Sequence, residues 1–342
     1  MIVTRTPFRI TLGGGGTDLP SFYREHGGFV FTMAINKYMY HMLHRLPVTE
    51  RKSIIRYTQV EYVSNPDEIQ HPLAREALKL HNVREYVELG SMADLPARTG
   101  LGSSGAYLVG LLTAIRALQR KPLDVDEIAK EACHIEMDIL KEPVGKQDQY
   151  IAAYGGFRTL DIARNGAVTV SSVPVDFTTA NELAHKARIY YTGVQRSATS
   201  VLKNQDEASK NAKSQDHEHV VAALCQIKEI GYRIKQAFLD RDLDAFGRLM
   251  DAHWMAKRSM SKSISLGFLD ELYERVKREY GVLGGKIIGA GGGGFLMLYC
   301  PEKVRELDAF MQEHGMPPVS YFPSMQGSHV VSDLTSYDVF DS

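Results

Sequence analysis

Only three cysteines occur in the 342-residue chain, Cys133, Cys225 and Cys300, and they are scattered. No pair stands at metal-ligand spacing, so neither a disulfide framework nor a zinc knuckle is expected; inert thiols in a reducing cytoplasm fit the pattern. A charge surplus is missing too. The formal net charge is −1, so nothing points to nucleic acid or to an anionic membrane as partner. No apolar run approaches the ~20 residues needed to span a bilayer. Glycines, not an apolar core, follow Arg5 and Arg9, so no signal peptide is expected. A Walker A sequence, a repeat of fixed period, a low-complexity segment and a metal-site histidine spacing are all absent. The remaining composition is ordinary for a globular protein, 44% hydrophobic and 24% charged. Its length suits a large core and two domains.

Glycine is the residue type that carries information, because it clusters: Gly13–Gly16, Gly100–Gly105 and Gly289–Gly294. The middle cluster runs directly into an apolar helical segment, with Leu108, Leu111, Leu112, Ile115 and Leu118 at steps of three and four. Ser103 or Ser104 stands where that helix begins, and a serine-capped buried helix is the alternative to a ligand site there. A helix start offers free N–H groups and partial positive charge, and glycines let a ligand approach the backbone. The stretch is therefore an anion site suited to phosphate. Two of the clusters spell G-x-G-x-x-G, which alone is a weak dinucleotide signal. Asp124, about twenty residues on, stands at the position of a ribose-binding acid but reads better as a helix cap. A strand follows Gly289, which is the wrong context for that fingerprint.

Along the chain, strands are expected over 2–12, 29–35, 38–46, 53–63 and 87–93. Helices are expected over 20–26, 72–81, from Ser103 or Ser104 to Leu118, and over 125–140, the last stopped by Pro143. A domain boundary falls near Asp176 to His185, giving domains 1–184 and 185–342. The second begins with a strand at Ala187–Gly193 and continues as strongly helical sequence with a buried strand, Phe295–Tyr299.

Taken together, the three clusters resemble the motifs of the GHMP small-molecule kinases. The first is Pro7-Phe8-Arg9-Ile10-Thr11-Leu12-Gly13-Gly14-Gly15-Gly16-Thr17-Asp18, the second Pro96 to Ala106, the third Lys286 to Gly294. They occur in order near the start, middle and end, so the resemblance covers nearly the whole chain. Thr17-Asp18 and the segment Pro143 to Gly156 look most like the branch acting on D-glycero-D-manno-heptose 7-phosphate, with L-fucokinase domains close by. Galactokinases usually carry Gly-Glu-His before Thr-Asp. Gly14-Gly15-Gly16 stand there instead, which argues against galactose.

The resemblance implies an α+β fold in two lobes: an N-terminal domain like ribosomal protein S5 domain 2 and a ferredoxin-like C-terminal domain, with the active site between them. It implies ATP and Mg2+ as cofactors. Gly100, Leu101, Gly102, Ser103, Ser104, Gly105 and Ala106 would cradle the triphosphate, and Ser104 and Glu136 would hold the metal. Asp148 would be the catalytic aspartate and Arg9 its basic neighbour, with much of the effect of Asp148 coming from position and charge. Gly15, Gly16, Thr17 and Asp18 would hold the sugar. A phosphorylated acceptor needs cations of its own, for which Lys146, Arg24, Arg98 and Arg196 are candidates. The third cluster would pack against the phosphate loop without chemistry, and His253 and Trp254 would be core or cleft wall. The implied activity is phosphorylation of a sugar's anomeric hydroxyl, for nucleotide-activated heptose synthesis, in the cytoplasm. L-Fucokinase activity and a non-catalytic sugar- and ATP-binding regulator are the alternatives. Retention of Arg9, Ser104, Glu136 and Asp148 argues against the regulator. The sequence leaves the oligomeric state open, with a homodimer admitted.

Overall fold

A computed structural model describes residues 1–47, 51–97, 99–194, 215–260, 267–289 and 294–335. Two strands organise the N-terminal lobe, β1 (Ile2–Gly13) and β2 (Gly28–Arg45), joined through helix α1 (Pro20–His26). They pair antiparallel from Ile2 opposite Leu43 to Gly13 opposite Phe31. The register shifts between Pro7 and Phe8, where proline has no N–H to give the ladder. That irregularity lets β2 run on where the sequence suggested two strands. Asn36, at the bend, bonds Phe322 instead: its N–H reaches the Phe322 carbonyl at 2.8 Å. The first half of β2 pairs with β6 (Phe157–Ile162) and its second half with β5 (Val87–Ala93). The expected strand over 53–63 is a hairpin, β3 (Ser53–Arg56) and β4 (Val60–Val63), and β7 (Val168–Ser172) extends β6.

Helix α2 (Pro72–Leu80) leads to β5, and α3 (Ser103–Leu118) follows it. Of α3, only Ser103, Ser104 and Ala117 escape full burial, because the helix passes between the sheet and the helices around it. Its five leucine and isoleucine side chains named above each contribute about 1.5–3 kcal/mol by leaving water. Helix α4 (Val125–Cys133) begins at Asp124, whose carboxylate accepts the Glu127 N–H at 2.9 Å, so that residue is a cap. It does not continue as α-helix to 140: His134–Ile139 form a π-turn, and Glu136 lies on it. Helix α5 (Gln147–Tyr154) packs on both α3 and α4.

After α6 (Phe177–Lys186), the C-terminal lobe forms a four-stranded antiparallel sheet. Its strands are β8 (Ala187–Tyr191), β9 (Gly284–Ile287), β10 (Phe295–Tyr299) and β11 (Pro318–Val319), in the order β11-β8-β10-β9. That is the ferredoxin-like order. Among the described residues, α7 (Gln215–Leu239), α8 (Leu243–Ser259) and α9 (Gly267–Tyr280) lie between its first two strands, and α10 (Val304–Glu313) lies between its last two. The lobe is not self-contained. Strand β12 (His329–Asp333) returns to pair with β1, so residues 329–333 belong to the N-terminal sheet although they fall within 185–342. Helix α7 also crosses onto that sheet, where Tyr232 stacks on Phe29 with ring centroids 3.9 Å apart. One apolar core therefore runs through both lobes, from Phe8 and Phe31 to Phe238, Phe246 and Tyr299. Among the described residues no helix is long and apolar enough to cross a membrane.

Candidate active site

A cleft of about 1060 Å³ opens where β1, the start of α3, the start of α5, α8 and β9 converge. Its floor is the first turn of α3. The cap of that helix is Gly102, at φ 76°, and no side chain caps the helix, so the alternative of a serine cap is not formed. The N–H groups of the first turn are thereby left for a ligand. One is already engaged: the Ala106 N–H donates to the Gly102 carbonyl at 3.0 Å. Gly100, Gly102, Ser103 and Ser104 line the cleft, whereas Leu101, Gly105 and Ala106 sit behind it. Leu101 is buried, and its carbonyl accepts the Arg9 N–H at 3.1 Å.

β1 brings Arg9 to this floor and α5 brings Asp148. The Arg9 Nε–H donates to Asp148 Oδ1 at 2.7 Å, and its Nη1 donates to the Gly100 carbonyl. The arginine is thus held against the second glycine cluster and the aspartate at once. Behind them, Glu136 is buried on the π-turn and takes hydrogen bonds from Gln149 and Ser104. Burial pushes its carboxyl up to about 7, and those two hydrogen bonds only partly oppose the shift. A buried carboxylate beside a serine hydroxyl, both on the cleft, fits a hard cation. Among the described residues no group of three or more His, Cys, Asp and Glu could hold a metal. Two protein oxygens nevertheless suffice for magnesium, which keeps several waters and binds phosphate oxygens.

Another side of the cleft is built from the first glycine cluster, through Gly15, Gly16 and Asp18. Asp18 is buried; its Oδ2 accepts the Gln147 N–H at 3.1 Å and its Oδ1 accepts the Gly16 N–H at 3.1 Å. Burial raises its pKa, the Gln147 N–H lowers it, and the charge of Asp148 raises it again. A Cβ on Gly145 would stand 2.0 Å from Asp18 Oδ2, so only glycine lets the two segments meet. Thr11, not singled out from the sequence, donates to Gln147 Oε1 at 2.6 Å and lines the cleft.

Three expectations are corrected or redirected by this geometry. Thr17 is fully buried and does not line the cleft; its hydroxyl donates to the carbonyls of Gly14 and Phe29, both at 2.8 Å, so it shapes the turn. Lys146 also lies off the cleft lining: its ammonium donates to the Gly166 carbonyl and sits 5.4 Å from the Tyr23 ring centroid. Arg24 is exposed and likewise does not line the cleft. Arg98 and Arg196 lie outside the described residues. The third cluster does pack on the second: a Cβ on Gly289 would come within 2.7 Å of the Gly100 Cα. Residues 290–293 of that cluster lie outside the described residues.

Opposite these groups the C-terminal lobe contributes His253 and Lys257 from α8 and Lys286 from β9, all buried and all on the cleft. His253 was expected as core or cleft wall; the two lysines were not foreseen as site residues. Their sequence signal was there: Lys257 follows His253 by four on one helix face, and Lys286 opens the third glycine motif. Met39, Leu73, Leu95 and Pro96 add an apolar part to the lining of the cleft, beside Tyr57, His71, Ser91 and Asp94.

The comparisons with known proteins agree with this geometry. Residues 72–156 match the GHMP kinases N terminal domain, and residues 234–315 match the GHMP kinases C terminal model. The chain belongs to the GHMP kinases. It is 27% identical over 329 residues to a D-glycero-alpha-D-manno-heptose 7-phosphate kinase of Campylobacter jejuni, covering 92% of this chain and 94% of the relative. It is 25% identical over 357 residues to an L-fucokinase/L-fucose-1-P guanylyltransferase of Bacteroides fragilis, covering 94% of this chain and 37% of that longer protein. A solved structure described as a D-glycero-D-manno-heptose 1-phosphate kinase from Bacteroides thetaiotaomicron superposes with TM-score 0.79. The superposition covers 97% of this chain and 99% of that one at 22% identity, which establishes the shared fold. The kinase is therefore a phosphotransferase with the two-lobed α+β fold.

Proposed function

We propose that this kinase transfers the γ-phosphoryl group of ATP to the anomeric hydroxyl of a heptose 7-phosphate. The observation that carries the reading is the Arg9–Asp148 pair, set between the open first turn of α3 and the buried Asp18 cradle. The first is a place for a triphosphate and the second for a polyol. The apolar part of the cleft lining accommodates the base of the nucleotide.

In this arrangement Asp18 accepts hydrogen bonds from sugar hydroxyls and fixes the acceptor. Asp148 orients the anomeric hydroxyl and takes its proton as the oxygen forms its bond to the γ-phosphorus. The bond from that phosphorus to the bridging oxygen breaks, and ADP leaves with the electron pair. Arg9 holds Asp148 in place and offers positive charge where the transferring group passes. Ser104 and Glu136 would hold magnesium, which neutralises phosphate charge when bound.

The names of the relatives support a heptose phosphate as acceptor, and the site supports an anionic one. The test is ADP release with MgATP and a panel of free and phosphorylated sugars. Turnover with heptose 7-phosphate and a 1,7-bisphosphate product is the expected result. Turnover with free L-fucose alone would replace this reading with the fucokinase one, and absence of turnover with every sugar would replace it with a non-catalytic role.

A further inference from the structure

We propose that His253, Lys257 and Lys286 form a phosphate subsite on the C-terminal wall of the cleft, which holds the phosphate group the acceptor already carries. The inference rests on the reading of the protein as a kinase for a phosphorylated acceptor, and it assigns that phosphate to residues outside the three glycine motifs' backbone.

The argument begins from unmet charge. The Lys257 ammonium donates to the Gly289 carbonyl and the Lys286 ammonium to the Leu12 carbonyl at 3.0 Å. An ammonium has three donors, so each lysine keeps N–H groups beyond these single bonds. Among the described residues no carboxylate oxygen lies within 4 Å of either one. Neither ring nitrogen of His253 has a hydrogen-bond partner, although the residue is buried. A buried, unpaired cation is costly, and two beside an unpartnered imidazole call for an anion from outside the chain.

The electrostatics agree. Burial and then the charge of Arg9 lower the Lys257 pKa to about 8, with the charge of Asp18 opposing them. Burial followed by the charges of Lys257 and Arg9 puts Lys286 well below the ordinary lysine range. Burial and both lysines do the same to His253, which leaves a neutral ring able to donate one N–H and accept at the other nitrogen. An arriving phosphate would reverse each of these penalties.

Position selects the acceptor's phosphate over the nucleotide's. The triphosphate already has the first turn of α3, Ser104 and Glu136. Lys286 is anchored on Leu12, just ahead of the glycine cluster that carries Asp18, and Lys257, held on Gly289 beside Gly100, lies in the field of Arg9 and then of Asp18. Lys146, the cation expected from sequence for this task, is turned onto Gly166.

Calorimetric titration without ATP tests this, comparing heptose 7-phosphate with the unphosphorylated heptose and adding other phosphorylated and free sugar pairs. The wild type should favour the phosphorylated member of a pair about 10-fold or more, and K257M should lose about 10–100-fold for that member alone. ADP affinity should hold. H253L, read separately in case K257M does not fold, should lose about 3–10-fold with the same selectivity. Melting without ligand should be unchanged or higher for K257M, because an unpaired buried charge has been removed. Unchanged discrimination in folded K257M and H253L would overturn the subsite, and so would a loss confined to ADP. If the wild type ignores heptose 7-phosphate but prefers another sugar phosphate, and K257M abolishes that preference, the heptose assignment falls and the subsite stands.

Discussion

The two walls of the cleft differ in how their charges are satisfied. On the N-terminal wall the functional side chains have protein partners: Arg9 donates to Asp148, Asp18 accepts the Gln147 backbone N–H, and Glu136 accepts from Gln149. On the C-terminal wall Lys257 and Lys286 rest on single carbonyls and His253 on nothing. The first wall is preorganised, with geometry paid for at folding. The second is held in place by its helix and strand but completed only by a ligand. Reaction geometry should therefore be governed by the first wall and anion selection by the second.

Breaking the preorganised wall should produce the largest effect. D148N should lower kcat by about 10²–10⁴-fold with little change in melting temperature, because Asn keeps shape and loses proton acceptance. Near-normal turnover of D148N in a coupled ADP assay would remove Asp148 from the chemistry. G145A should come next: its methyl would press on Asp18 from 2.0 Å away, so the acceptor KM should rise about 10-fold or more while the ATP KM holds. Equal changes in both constants would mean that the whole cleft has shifted. S104A should raise the magnesium concentration for half-maximal rate by about 3–10-fold, read by titrating the metal at saturating ATP.

The smallest effect is expected in a buried network far from the cleft. Arg116 donates to Glu131 at 2.7 Å and to Glu127 at 3.1 Å, and His81 lies 3.1 Å from Glu131. Burial by itself would raise the Glu131 pKa, but the hydrogen bonds from His81 and Arg116 outweigh it and bring it down to about 2. The folded-state value is below the unfolded one. The stabilisation is therefore present above about pH 4.5 and is lost as pH falls toward 2. E131Q should cost on the order of 2 kcal/mol at neutral pH and nearly nothing at pH 2, by denaturant melts across that range. A pH-independent cost would assign the loss to packing alone.

Local signals survived folding well. The periodicity of α3, the Pro20–His26 helix and the Val87–Ala93 strand stand where the sequence put them, since apolar spacing and proline act over a few residues. Asp124 proved a cap for the same reason. Long-range events were not legible. β2 runs through Asn36 because a bulge across the sheet at Pro7 permits it. The π-turn that carries Glu136 replaced a helix that local spacing would have continued to 140. Thr17 and Lys146 carry the residue types that sugar and phosphate binding need, yet both are committed to backbone carbonyls, and no sequence pattern shows which carbonyl lies beside a side chain.

What the sequence determined by itself was the set of chemical parts: three glycine clusters in order along the chain, and an arginine, three carboxylates and a serine at positions matching the motifs of the resemblance. Backbone conformation, helix starts and residue chemistry are encoded within short stretches, so these could be read directly. Tertiary structure alone decided which parts face the cleft and which anions and cations are left unpaired. Arg9 meets Asp148 across 139 residues, and Lys286 reaches Leu12 across 274. Charge balance in a cleft depends on burial and on neighbours brought from distant segments, and that sum exists only once the chain has folded.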